Sequence, residues 1–67
     1  MLSARNQFKG LIDSVQHGDL MTEVVVKVGG VKMVSLISRR SAHDMNLRVG
    51  DEVTAIVKAT NVILAKD

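Results

Sequence analysis

The amino-acid sequence predicts a small, mainly β domain, a five-stranded barrel with one short helix between the third and fourth strands. Three observations lead to this prediction. Alternating or β-branched stretches of strand length recur along the chain, glycine-containing turns separate them, and one short segment breaks the alternation. With 67 residues and no cysteine, residues 1–67 hold one domain and no disulfide.

The first half of the chain predicts three strands. In the first strand Phe8 and Ile12 share one face, where we expect Phe8 to be buried, and Gly10 marks a bend or bulge. The pair Gly29-Gly30 is a strong signal for a two-residue hairpin between the second and third strands. The predicted segments are strand 7–16, turn 16–19, strand 20–28 and strand 31–38.

The second half predicts a helix followed by two strands. Ser38 can cap a short helix within residues 38–47, which ends near Asn46. The order β-β-β-α-β-β is that of an OB-fold barrel; a small SH3-like barrel is the alternative, but it seldom has this helix. The remaining features are inward-facing Ala42, Met45 and Leu47, a turn at Gly50, strand 52–58, turn 58–61 and strand 61–66.

Two predicted strands are apolar on both faces, namely 24-VVVKV-28 and 62-VILA-65. A barrel strand buries one face and exposes the other to solvent. A strand that is apolar on both faces is usually packed against other parts of a protein on both. A single chain of this size has nothing to cover the second face with. The pattern therefore predicts a tight oligomer with exchanged strands or stacked barrels; scattered surface valines, which are normal, are the alternative.

Composition disfavours several classes of protein. No apolar run is long enough to span a membrane, and the first residues lack the apolar centre of a signal peptide, so a cytoplasmic protein is expected. His17 and His43 each lie beside an acidic residue, but two histidines without cysteine rarely complete a metal site, even with Asp19. No catalytic motif is present. We expect no enzyme, no bare metal cation and no cofactor.

A nucleic-acid-binding OB module is the main alternative function. Such modules combine a basic groove with aromatic stacking platforms. Phe8 is the only aromatic residue, the net charge is +2, and Arg39-Arg40 is a pair rather than a patch. This alternative therefore rests on fold analogy alone. A structural oligomerisation domain without a ligand is a third possibility.

The two ends of the chain contain the groups that an anion needs. The stretches 3-SARN-6 and 58-KAT-60 supply an arginine, a lysine and two hydroxyls, and neither stretch holds a carboxylate. Arginine offers a fork of N–H donors, lysine a point charge and irregular backbone free amides. Together they suit a small oxyanion, although solvated basic ends are the alternative.

The sequence resembles the molbindins, the small molybdate-binding Mop proteins. The segments that carry the resemblance are 3-SARNQFKG-10, 22-TEVVVKVGG-30, 36-LISRRSAHDMNL-47 and 49-VGDEVTAIVKATNVILA-65, which cover nearly the whole chain. The resemblance implies an OB-like Mop domain in which dimers exchange a strand, and three dimers forming a hexamer.

The resemblance also implies a function and a site. Oxyanions, molybdate and equally tungstate, would bind at subunit interfaces for intracellular molybdenum storage and homeostasis. The family's principal site corresponds here to Ser3, Ala4 and Arg5 together with Lys58, Ala59 and Thr60. Some members hold a second site near the first hairpin, here residues 17–22, where Asp19 is an unusual neighbour for an anion.

Overall fold

The protein folds as one antiparallel sheet with a short helix beside it. The structure, a computed structural model, describes residues 5–66. The elements are β1 (Asn6–His17), β2 (Met21–Val28), β3 (Val31–Ser38), α1 (Arg39–Asp44), β4 (Glu52–Val57) and a 3-10 turn (Ala59–Asn61). The sheet order is β3-β2-β1-β4. The predicted mainly β class, the first four strands and the place of the helix are confirmed.

Strand β1 is long enough to pair with two neighbours in succession. Its first half pairs with β4, from Asn6 opposite Val57 to Leu11 opposite Glu52. Its second half pairs with β2, ending with His17 opposite Thr22. Each half of β1 therefore lies in a different part of the sheet, and the strand bends between them.

The bend does not lie at Gly10, where the sequence predicted a bulge. The register shifts between Ile12 and Ser14, so Asp13 is the bulged residue. Gly10 instead permits a close approach of two strands, since a Cβ there would lie 2.5 Å from the Lys27 carbonyl oxygen. Glycine is required at this position because a side chain would not fit between the strands, and not because the backbone bends there.

The core lies on the concave face of the sheet. Ile12, Val24 and Val26 are buried there, and Thr22 is the buried polar residue of the described chain. Alternation along β2 puts the buried residues on one face and leaves Glu23 and Lys27 exposed on the other. The partly buried residues packed against this core are Val15, Val28, Ile37, Leu47 and Val53.

Helix α1 begins and ends as predicted. The Ser38 hydroxyl accepts the backbone N–H of Ser41 at 3.0 Å, and Asn46 takes a φ of 51° just beyond the helix. Ala42 is buried as expected. Met45, the helix C-cap, is 57% exposed and lines an apolar groove that also contains the core residues Ile12 and Val26. No helix of the described residues is long and apolar enough to cross a membrane.

Phe8 is not buried, contrary to the prediction, since 41% of it is exposed. The reason is its position on β1. The pairing of β1 with β2 begins only at Leu11, so the hairpin of β2 and β3 does not extend over Phe8. Its cross-strand neighbour on β4 is the small Ala55, which covers little of the ring.

The predicted fifth strand, 61–66, is not formed within the described chain, and the four strands do not close into a barrel. Residues 59–61 form the 3-10 turn, and residues 62–66 have no assigned secondary structure. Ile63 and Leu64 are 93% and 90% exposed. A strand exists only where its backbone groups have a partner to pair with. Within the described chain this segment pairs with neither of the open edge strands, β3 and β4.

An apolar groove separates the two unpaired edges of the sheet. It has a volume of about 290 Å³ and runs between β3 and β4, where a closed barrel would need another strand. Its floor contains the core residues Ile12 and Val26. The side chains along its two walls include Met33, Ser35 and Ile37 from β3 and Val53, Ala55 and Val57 from β4.

Candidate functional site

The start of β1 and the end of β4 meet at one end of the sheet. Asn6 lies opposite Val57 in the last pair of the β1–β4 register, so the next residues outward, Arg5 and Lys58, both adjoin this end of the sheet. The register therefore brings together two cations that are more than fifty residues apart in the sequence.

The chain turns tightly immediately after Lys58. The backbone N–H of Asn61 donates to the Lys58 carbonyl at 2.9 Å, and that of Val62 donates to the Ala59 carbonyl at 3.3 Å. These bonds use the amides at the end of the turn. The amides of Ala59 and Thr60, at its start, have no acceptor inside the turn. The exposed turn thus offers a lysine, a hydroxyl and two amides within three residues.

Within the paired parts of β1 and β4, no carboxylate lies near this end of the sheet. Glu52 begins β4 and lies opposite Leu11, five residues before Val57, which corresponds to about 17 Å along a strand. Arg5 and Lys58 are both exposed, and neither forms an ion pair with another residue of the described range 5–66. The local charge is therefore positive and uncompensated by described residues.

Four of the six predicted site residues are described, and they lie at this one place. Arg5, Lys58, Ala59 and Thr60 belong to the paired ends. Ser3 and Ala4 lie outside the described residues. The described chain therefore brings several hydrogen-bond donors to one place without a carboxylate beside them. This arrangement suits the binding of an anion.

The two histidines are far from completing a catalytic or metal site. The Nδ1 atom of His17 lies 2.8 Å from the hydroxyl oxygen of buried Thr22, a hydrogen bond that ties the β1–β2 turn together. His43 lies 3.7 Å from Asp44 on the exposed side of α1. No group of three His, Cys, Asp or Glu residues within 5–66 could hold a metal ion.

The first hairpin, residues 17–22, is fastened to the helix. Arg39 donates from its guanidinium to the Gly18 carbonyl at 3.3 Å and from its backbone N–H to the Leu20 carbonyl at 2.8 Å. Asp19 lines a shallow cleft beside Arg39 and Arg40. The hairpin therefore carries a carboxylate beside its cations, unlike the paired ends of the chain.

Comparison with known proteins shows the family of this chain. The family model of the TOBE domain matches residues 2–64. The chain belongs to the TOBE-domain family. The match includes both predicted site segments, the one that precedes β1 and the turn after β4.

This TOBE domain also has relatives that match nearly its whole length. It is 42% identical over 64 residues to molybdenum-pterin-binding protein 3 of Clostridium pasteurianum, covering 94% of each chain. A molybdate-binding protein from Sporomusa ovata is 33% identical, with a TM-score of 0.95 and 98% of each chain covered. The cytoplasmic molybdate-binding protein ModG is 30% identical, with a TM-score of 0.89 over 94% of this chain and 45% of that one. The resemblance to the molbindins is confirmed.

Sequence reasoning missed one feature of this TOBE domain that adjoins the site. Val57 lies at the site end of β4 and also lines the apolar groove, so the groove begins where the cations meet. A signal was present in the alternation of Val53, Ala55 and Val57 along β4. Alternation shows which face is apolar, but it cannot show that the face borders an open gap.

Proposed function

We propose that this chain binds the molybdate dianion at the paired ends of its sheet. Arg5 and Lys58 supply charge, Thr60 a hydroxyl, and Ala59 and the turn backbone amides, while Ser3 and Ala4 complete the pocket. The observation that carries the proposal is the β1–β4 register, which ends with Asn6 opposite Val57 and so leaves the neighbouring Arg5 and Lys58 at the same end of the sheet. The relatives support it, since two solved structures of the same fold belong to molybdate-binding proteins.

Binding replaces the water around the oxyanion with protein donors. A hydrogen bond that involves a charged group contributes about 1.5–3 kcal/mol. Micromolar affinity requires about 8.2 kcal/mol in total. Four or five such bonds contribute about 6–15 kcal/mol before the losses of translational and side-chain freedom on association, which are about 4 kcal/mol or more. Micromolar affinity therefore requires bonds from the stronger part of this range, which is where charge-assisted bonds lie.

We propose that the site is completed between subunits, and that residues 1–67 form one domain of such an assembly. The exposed segment 62–66 of one copy would enter the apolar groove between β3 and β4 of another as a fifth strand. This exchange pairs both open sheet edges, closes the barrel and removes Ile63 and Leu64 from water. Three such dimers would form the hexamer.

The role that follows is storage and homeostasis of the oxyanion, in the cytoplasm, without catalysis or a cofactor. Tungstate has the same charge and shape as molybdate and would bind equally well. Sulfate is smaller, so a pocket that fits the longer molybdenum–oxygen bonds would leave sulfate short of some donors. The support for a cytoplasmic role is the relative ModG, which is a cytoplasmic protein.

Isothermal titration calorimetry of the purified chain tests this function. We expect micromolar or tighter binding of molybdate and of tungstate, and at least tenfold weaker binding of sulfate. A short single-stranded oligonucleotide is the fourth titrant, because an OB-like fold is also used for nucleic acids. Absence of molybdate binding, or tighter binding of the oligonucleotide than of molybdate, would contradict the proposal.

A further inference from the structure

A third cation, Lys9, lies near the proposed site without belonging to its set of donors. Lys9 is an exposed residue of β1 and lies directly opposite Thr54 on β4. It follows Arg5 by four residues, which is about 13 Å along an extended chain. At that separation a lysine acts on an anion bound at Arg5 through its charge rather than by a hydrogen bond.

Lys9 belongs to a part of the sheet that contains no carboxylate. We define the acid-free surface as residues 5–11 and 53–61, two stretches that are joined by the β1–β4 pairing. Its charged residues are all cations, namely Arg5, Lys9 and Lys58. The seven acidic residues of the chain all lie outside these two stretches. The acid-free surface is therefore larger than the proposed site and contains one more cation.

No described residue neutralises the charge of Lys9. Within residues 5–66 no ion pair includes it. The nearest carboxylate in the β1–β4 pairing is that of Glu52, which lies opposite Leu11 and so diagonal to Lys9, with Cα atoms about 7–8 Å apart. The residue of β2 opposite Leu11 is a further cation, Lys27. The positive potential therefore extends along the whole acid-free surface.

Long-range attraction depends on the charge of a ligand and not on its shape. The Coulomb energy between a lysine and an oxyanion is proportional to the charge of the oxyanion, so a dianion gains twice as much as a monoanion. Hydrogen bonds to a tetrahedral ion depend instead on distances and angles. A cation outside the pocket can therefore favour dianions over monoanions of the same shape.

We propose that Lys9 makes the site selective for doubly charged oxyanions by long-range attraction, without contacting the ligand. This inference rests on the proposed function, since it requires an oxyanion bound at Arg5 and Lys58. For a dianion about 13 Å away, the loss of one positive charge weakens binding about twofold at about 0.01 M salt, where the Debye length is about 30 Å. At about 1 M salt the Debye length is about 3 Å, and the effect disappears.

Calorimetry with molybdate at these two salt concentrations tests the role of Lys9. At low salt we expect Lys9→Gln to weaken binding about twofold and Lys9→Glu about fourfold, and at high salt we expect neither to change it. Glu52→Gln removes the nearest negative charge and should tighten binding at low salt, by less than twofold. Arg40→Gln, the same charge change on α1, is the control and should leave the affinity unchanged at both concentrations.

Perrhenate tests the selectivity for charge, because it is a tetrahedral oxyanion with a single negative charge. Its affinity is measured by competition with molybdate at low salt. We expect Lys9→Glu to weaken perrhenate binding about twofold, compared with about fourfold for molybdate. Equal changes for the two ions would overturn the proposal.

Two further results would overturn it. One is a molybdate affinity at low salt that neither Lys9 variant changes. The other is a loss that persists at high salt, which would indicate direct contact; Arg5→Ala, which removes a direct donor, should show such a persistent loss. Circular dichroism of every variant verifies the fold. An unmodified chain that binds no molybdate would overturn the proposed function itself, and this inference with it.

Discussion

At the scale of single residues, Arg5 and Lys58 account for the positive charge of the proposed site. We expect Arg5→Ala and Lys58→Ala each to weaken molybdate binding at least tenfold, about 1.4 kcal/mol, because each removes a charged donor. Calorimetry with the oligomer mass checked alongside measures the effect. Unchanged affinity in both variants would place the site elsewhere.

Arg40→Ala is the matched control for these two variants. Arg40 lies on α1, which follows the end of β3 and therefore adjoins the His17 end of β1, far from Arg5. Exposed charges beyond a Debye length of about 8–10 Å are largely screened at physiological salt. We expect less than a twofold change, and the same for Arg39→Ala. Equal losses in all four variants would indicate binding by overall charge instead of a pocket.

Thr60 separates hydrogen bonding from charge. Thr60→Val keeps the shape of the side chain and removes the hydroxyl, so a bound oxyanion would lose one donor. We expect a loss of about 1–2 kcal/mol in the binding free energy, larger than that for Arg40→Ala although no charge changes. Titrations at low and physiological salt measure both variants. If Thr60→Val leaves the binding free energy unchanged, residues 58–60 are an ordinary basic turn.

Gly10 shows what one missing side chain does for the sheet. A Cβ at this position would lie 2.5 Å from the Lys27 carbonyl oxygen and 2.9 Å from methyl carbons of Val26 and Val28. We expect Gly10→Ala to lower the free energy of unfolding by about 1–3 kcal/mol, the usual cost of overpacking. Urea unfolding measures it, with Gly30→Ala as the control, since a Cβ there has nothing within 4 Å. Equal stability of the two variants would refute the close-approach explanation.

At the scale of elements, the segment 62–66 decides between an exposed tail and an exchanged strand. Ile63 and Leu64 are almost fully exposed in the single chain. If the segment is an exposed tail, lysine at either position should therefore leave the oligomer unchanged. If the segment fills the groove of another copy, we expect at least one of Ile63→Lys and Leu64→Lys to dissociate the oligomer while the sheet signal in circular dichroism persists. Val49→Lys is the control, because Val49 is also an exposed apolar residue. Intact oligomers in both variants would exclude exchange.

At the scale of the whole molecule, the chain is too small to bury a large core and has no disulfide to compensate. The buried core cluster consists of Ile12, Val24 and Val26, while many large apolar residues remain exposed. We therefore expect association between copies to supply further stability. We expect light scattering at micromolar concentration to give six times the 7.3 kDa of one chain. A mass of one chain would exclude both the hexamer and a site shared between subunits.

The local features of this protein could be predicted from its sequence. The hairpin at Gly29-Gly30, the Ser38 cap and the alternation along β2 depend on residues at most a few positions apart, and the structure confirms each. The absence of carboxylates from the predicted site segments was equally visible. This absence predicted Arg5 and the turn 58–60 as candidate anion-binding groups.

The remaining features were decided by residues distant in the sequence. Pairing of β1 with β4 brings Arg5 to Lys58, and the point where β1 passes from β4 to β2 sets the bulge at Asp13 and leaves Phe8 uncovered. The segment 62–66 has the composition of a strand, yet it pairs with no strand of the described chain. A strand forms only when its backbone N–H and C=O groups can pair with another strand. That other strand is supplied by the tertiary or quaternary structure, so the local sequence does not determine whether it is present.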